Sequence, residues 1–315
     1  MLTPSTTHIV GLGIVVIDHL VILPEHPPAD TKTNVLEDRF QVGGPVPTAL
    51  VLLRRFGWQC SLIGHWADDA FGEMIEADLH REGVGFDRER CRCTSRSGFS
   101  HVWIDRRNGT RTIACSRPRE TLGPEDLDEQ ALRRADALHL DGWPSDTALA
   151  AARIVRRHGG QVFLDTGNFK PGMEELIRHA DVVNCPRRFL TQFLETEDVH
   201  AGIAALLRLG PRVVTVTSGD AGAAIGTSAG VHDQPAFAVQ AVDTSGAGDV
   251  FCGGMIHGVL NNWPPERILR FAAATAALKC SAYGNRDALP SIAAVTQFLT
   301  EAETHRERED SPRGR

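Results

Sequence analysis

No apolar run in the sequence reaches the ~18 residues of a membrane helix, and the residues before His8 are polar, with no basic leader. Neither a membrane span nor a secretory signal is expected, and the cytoplasm is the expected compartment. The seven cysteines (60, 91, 93, 115, 185, 252 and 280) include no C-x-x-C pair, which removes the usual zinc and disulfide frameworks and leaves reduced thiols. The thirteen histidines form no H-E-x-x-H. Gly11-Leu12-Gly13 lacks the third glycine of a dinucleotide fingerprint. Positive charge is also short: the net charge is −7, without the basic footprint of a nucleic-acid binder, so no nucleic-acid partner is expected.

What is present suits one large α/β domain: 315 residues, 42% apolar and 23% charged. Residues 8–17 are almost wholly apolar and predict a strand buried on both faces. Further apolar strands are predicted at 60–64, 137–141, 161–165, 181–185 and 212–217, with β-rich runs at 222–227 and 236–242. Between and after them lie helical patterns at 47–56, 70–81, 146–158, 172–179, 198–209, 247–260 and 266–282. Strands alternating with helices predict a mostly parallel, Rossmann-like sheet covered on both faces. Two stretches leave that pattern. Residues 23–43 are proline-containing and charged, and 99–105 and 110–115 alternate with period two around Asn108-Gly109, a β-hairpin signal. One α/β domain over 5–302, a small β lid within it from 15–40 and 96–118, and a disordered, apolar-free tail at 303–315 are the expected organisation.

The most specific stretch is Asp243-Thr244-Ser245-Gly246-Ala247-Gly248-Asp249, expected to leave a strand at 237–242 and enter the helix 247–260. Small residues at a helix N-terminus let backbone N–H groups approach an anion, and Asp249 would stand in the first turn beside it. Donors for developing charge next to a base is an arrangement that moves a phosphoryl group. No Gly-Lys-Ser/Thr follows, so the loop is not a Walker A.

Asp-Thr-x-Gly-Ala-Gly-Asp resembles the C-terminal signature of the ribokinase (PfkB) family of carbohydrate kinases at all six defined positions. The resemblance implies an ATP-dependent phosphotransferase acting on a hydroxyl of a sugar or sugar derivative. Asp249 would be its catalytic base, and Gly246, Ala247 and Gly248 its anion hole. Gly43-Gly44-Pro45-Val46-Pro47-Thr48-Ala49 is similar to the N-terminal Gly-Gly signature, with Thr48 where the family usually has Asn. Gly43, Gly44, Thr48 and Asp18 are thereby substrate-binding candidates, and Arg111 follows a Gly-x-Arg pattern similar to the substrate-covering hairpin. Thr217, Ser218, Gly219, Asp220 and Gly222 resemble the nucleotide loop. Ala273 lies in a small-residue helix like the one that accommodates adenine, and Lys170 matches a phosphate-binding position. The cofactors implied are ATP and Mg²⁺, with a monovalent cation such as K⁺ at the backbone of Asp243 and Ser245. A homodimer through the lid is implied too.

One departure from the family is plain. Pro186 and Phe189 stand where an Asn-x-x-Glu block acts on the metal and phosphates, as in ketohexokinase-like members, and Arg187 or Arg188 offers a cation there instead. Two alternatives stay open: a nucleoside kinase, with Phe99, Trp103 or Trp143 stacking a base, and a catalytically silent sugar-binding or regulatory protein.

Overall fold

The computed structural model describes residues 6–310, with side chains through Thr304. Its strands are β1 (His8–Leu12), β2 (Val16–Leu23), β3 (Glu37–Gly43), β4 (Gln59–Ile63), β5 (Phe99–Asp105), β6 (Arg111–Ser116), β7 (Ala137–Leu140), β8 (Gln161–Asp165), β9 (Val182–Pro186), β10 (Val213–Thr217), β11 (Ala223–Thr227) and β12 (Gly230–Gln234). Eight of them form one sheet in the order β12-β11-β10-β9-β8-β7-β1-β4. The strands from β4 to β10 run parallel, and β11 and β12 complete the edge antiparallel. One face is covered by the helices Pro45–Arg55, Ala247–Leu260 and Pro265–Cys280, the other by Ser145–Arg157, Met173–Arg178 and Val199–Arg208. The central strands are buried on both faces, hence their continuous apolar sequence.

The other four strands form a separate sheet, β3-β2-β5-β6. Asp18 pairs with Gln41 and Ser100, Leu20 with Val102, and Ile104 with Arg111. Directly paired residues share a face. Asp18, Gln41, Ser100 and Arg111 therefore point to one side, together with Leu20, Val102 and Ile104, which pack on Tyr283. Phe40 and Trp103 are on the opposite face and stay substantially exposed.

Three local expectations are corrected. The apolar run 8–17 is two strands, because the chain changes sheet at residues 13–15, where the Ile14 amide donates to Asp141 Oδ2 (2.7 Å). Residues 236–242 form no strand: Pro235 removes a ladder donor, Phe237 packs on Phe298, and the outermost strand is β12 instead. The tail expected to be disordered is helical as far as Asp310, continuing the helix Ile292–Asp310, while 311–315 lie outside the described residues. All seven cysteines are free. Among the described residues no helix is long and apolar enough to cross a membrane.

Candidate active site

A parallel sheet presents the C-terminal ends of its strands on one edge, and the loops leaving them meet there. Asp141 follows β7, Asp165 closes β8, and the 243–248 loop delivers Asp249. Gly246 caps the helix Ala247–Leu260 with φ 70°, and Val250 N already reaches back to the Gly246 carbonyl. The amides of Gly248 and Asp249 fall in the first turn, where a helix offers no internal acceptor. Open space lies over Gly248, where an added Cβ would meet nothing within 4 Å. The loop thus points unpaired N–H groups, with the positive end of the helix dipole, at solvent beside a half-buried carboxylate.

Burial pushes the Asp249 carboxyl up to about 6; the nearby Arg111 guanidinium pulls it down and Asp141 pushes it up. Asp165 is pushed to about 7 by burial and by repulsion from Asp249. Asp18 also reaches about 7, mainly through burial, with a Ser100 hydrogen bond working against the rise and Asp249 adding to it. Asp249 raises both Asp18 and Asp165, and Asp141 raises Asp165 and Asp249, so these carboxyls lie near one another; burial is the first cause of each rise, and repulsion adds to it at Asp18, Asp165 and Asp249.

The two glycines of the N-terminal signature are needed for close approach. A Cβ on Gly43 would sit 1.9 Å from Asp18 Oδ2, and one on Gly44, at φ 111°, would sit 2.1 Å from the Ile14 carbonyl oxygen. Thr48 is fully buried in the helix that follows, and its hydroxyl has no partner. Arg111 extends from the small sheet to the motif loop, where its Nη1 donates to Thr244 Oγ1 (3.0 Å). Thr244 Oγ1 in turn donates to the Gly109 carbonyl (3.3 Å), so the hairpin turn and the loop are tied at two points.

The remaining candidates scatter more. Thr217 ends β10, and Ser218 to Gly222 form a tight turn closed by Ser218 N donating to Gly222 O (2.8 Å). Ala273 lies half-buried on the helix Pro265–Cys280. Lys170 stands apart from that nucleotide-loop candidate: its Nζ donates to the carbonyls of Asp141 (2.9 Å) and Thr166 (2.8 Å), beside β7 and β8. Arg187 pairs with Glu197, and Arg188 donates to Asn168. Of the aromatics that a base would need, Phe99 is stacked on Phe71 and Trp103 is on the outer face of the lid.

Asp243 and Ser245 are buried, but the Asp243 carbonyl is already engaged. Lys279 Nζ donates to it (2.9 Å) and to Asp243 Oδ2 (3.1 Å). Gly284 N and Ser245 N donate to the same carboxylate. The sequence reading missed Asp141 and Lys279. Asp141 was signalled by a carboxylate directly after a short, mostly apolar strand, and Lys279 by nothing local.

The chain matches the family model described as pfkB family carbohydrate kinase over residues 6–292. It is 32% identical over 277 residues to an ATP-dependent ribose-1-phosphate kinase of Halopiger xanaduensis, covering 87% of this chain and 92% of that one. A fructokinase of Klebsiella pneumoniae is 29% identical over 79% of this chain and 88% of its own. Among solved structures, a putative ribokinase from Agrobacterium tumefaciens superposes with a TM-score of 0.82 at 26% identity, over 96% of this chain and 99% of that one. The ribokinase of Thermotoga maritima gives 0.80 at 23% identity, over 93% and 99%. The fold of two sheets is therefore ribokinase-like.

Proposed function

This chain belongs to the pfkB family of carbohydrate kinases, and we propose that it transfers the γ-phosphoryl group of ATP to a sugar hydroxyl with Asp249 as general base. The observation that carries the reading is the pairing of Asp249, poised near pH 6, with the first-turn amides of Gly248 and Asp249, which the open space over Gly248 leaves accessible. A carboxylate of that basicity is ionised at neutral pH yet accepts a proton better than an ordinary aspartate. Asp18, backed by Gly43 and Ser100, faces the same cleft and would hold neighbouring hydroxyls of the acceptor. Gly44 gives the backbone room there, and Thr48 offers its unpaired hydroxyl.

The nucleotide would lie along 217–222, with Thr217, Ser218, Gly219, Asp220 and Gly222 following its phosphates and Ala273 beside the adenine. Mg²⁺ arriving with ATP fits this donor set. Asp165 and Asp249 carry mutually repelling charge that a cation relieves, and no cluster of three or more metal-binding side chains occurs among the described residues. Such a site suits an ion held largely by phosphates, whose charge Mg²⁺ would offset. The lid would exclude water over the cleft, and its exposed Phe40 and Trp103, with edge strand β6 almost wholly exposed, would be covered in a homodimer.

A second observation narrows the acceptor. Arg111 points to the cleft with no carboxylate bonded to it among the described residues, and the Halopiger relative is named for a sugar phosphate. We therefore include an anionic acceptor, a pentose 1-phosphate above all, beside neutral sugars. The test is ADP release with Mg²⁺ across neutral sugars, sugar 1-phosphates and nucleosides. Turnover confined to a sugar class, and lost in Asp249→Asn, is the expected result. Turnover on nucleosides alone, or none with ligand still binding, would overturn it.

A further inference from the structure

Thirty of the 33 basic residues are arginine; the lysines are Lys32, Lys170 and Lys279. Lys279 is the most buried position a cation can have, at 0% exposure, and its partner Asp243 is equally inaccessible. A carboxylate with no access to water needs a positive charge beside it. That charge could be a free ion or a side chain. Here it is a side chain, and of the type whose head group is a compact, spherical point charge rather than a planar fork.

Its position matters more than its burial. The ammonium touches the Asp243 carbonyl oxygen, the group expected to bind a free K⁺, and the Asp243 carboxylate together. A second monovalent cation on that oxygen would lie against the ammonium and share its ligand, so the residues present do not fit a free ion there. The expectation of K⁺ bound by the Asp243 and Ser245 carbonyls is corrected on that ground. The segment around the pair is bonded on every side. Val242 N and Asp243 N donate to the Cys280 carbonyl (2.9 and 3.3 Å), and Gly284 N donates to Asp243 Oδ2 (2.9 Å). The last turn of the helix Pro265–Cys280 therefore clamps the entrance of the loop that carries the anion-hole amides. The charge of Lys279 is felt at Asp249 as well, where it favours the ionised carboxylate.

We propose that Lys279 is a tethered monovalent cation, doing by covalent attachment what a dissociable K⁺ would do at the 243–248 loop, so that this chain works without K⁺ or Na⁺. The proposal rests on the family reading of that loop as the anion hole, and Lys279 is a positioning residue, not a catalytic one. Its consequence is regulatory: transfer by this chain would not respond to intracellular K⁺.

The experiment uses the full chain and has two readouts. Melting temperature and ADP affinity are measured in KCl, NaCl and tetramethylammonium chloride at a constant ionic strength of about 0.1 M, so that general screening is the same throughout. No difference beyond about twofold in affinity is expected across the three salts. A saturable, K⁺-selective gain of about fivefold or more, or a K⁺-selective rise in melting temperature, would overturn the proposal. Because neither readout needs an acceptor sugar, failure of the substrate reading leaves this test intact. Lys279→Ala then removes the tether and leaves a cavity. Weaker ADP binding in tetramethylammonium, restored saturably by K⁺ or NH₄⁺, is expected. A folded Lys279→Ala protein whose ADP affinity ignores all cations would refute the substitution, and if that variant does not fold, the wild-type salt series decides alone.

Discussion

Replacing Asp249 by asparagine should move activity and stability in opposite directions. The amide keeps the shape of the carboxyl but neither ionises nor accepts a proton, so kcat should fall by roughly 10²–10⁴ if general-base catalysis is its role. Stability should rise. The folded-state value of about 6 lies above the ordinary 3.8, chiefly because burial disfavours the charge. That gap of about 2 pH units, at ~1.4 kcal/mol each, makes the ionised carboxylate cost the fold about 3 kcal/mol. The sign follows from the direction: a raised carboxyl costs nothing below about pH 4, where both states are protonated, and its full cost is present above about pH 6. Differential scanning fluorimetry should therefore show Asp249→Asn melting roughly 4 °C higher than wild type at pH 8, with the gain about halved at pH 5. In the wild type, kcat/KM should decline as pH falls through about 6. An asparagine variant that keeps kcat within about tenfold, or that melts lower at pH 8, would refute the placement of a strained, ionised base here.

Two further substitutions test the frame around the site. Gly43→Ala puts a methyl 1.9 Å from Asp18 Oδ2 and must displace that carboxyl; acceptor KM should rise by roughly 10- to 100-fold while ADP affinity holds, and equal loss of both would show a global defect instead. Asp78→Ala strips the buried Arg286 guanidinium of a carboxylate that accepts from its Nε (2.9 Å) and forms an ion pair with its Nη2 (2.8 Å), and the midpoint of urea unfolding should report a loss of about 3–5 kcal/mol; a loss under about 1 kcal/mol would mean Arg286 reaches water.

The alternating apolar runs identified the parallel sheet because burial on both faces leaves continuous hydrophobic strands, and that signal is local. Where the chain changes partners, the local signal misleads. Residues 8–17 read as one strand since both sheets bury what they receive, and hydrophobicity does not report that Ile14 turns away to meet Asp141, 127 positions on. Residues 236–242 are rich in strand-forming residues, yet the segment serves as a dock: Phe237 packs on Phe298, and Val242 N reaches the Cys280 carbonyl. The tail lacks apolar residues, but Glu and Arg favour helix, and a helix already nucleated and anchored by buried Val295 extends through them at little cost.

The candidate site divides along the same line. Its contiguous part, Asp243 to Asp249, was legible through the resemblance, which supplied the roles; a glycine-rich turn into a helix with an acid in its first turn is commonplace by itself, and the segment before it proved to be no strand. Its remaining charges come from places where sequence pattern gives the opposite reading. A lysine in the last turn of a helix ordinarily complements the dipole in solvent, and Lys279 occupies that position in the sequence of Pro265–Cys280. Its burial follows from what lies across from it: Asp243 has no water to ionise into, and the helix end that would have been solvated is bonded into the loop instead. The same holds for Lys170, which reads as a phosphate ligand and stands bonded to two carbonyls between Asp141 and Asp165. Two of the chain's lysines are thus internal counter-charges to a site crowded with carboxylates. Lys170 holds Asp165 down and Lys279 holds Asp249 down, each against the burial that raises its neighbour. In this chain, therefore, burial sets the proton affinity of Asp249 first, and the charges that adjust it, Arg111, Asp141 and Lys279, all come from outside the 243–249 stretch.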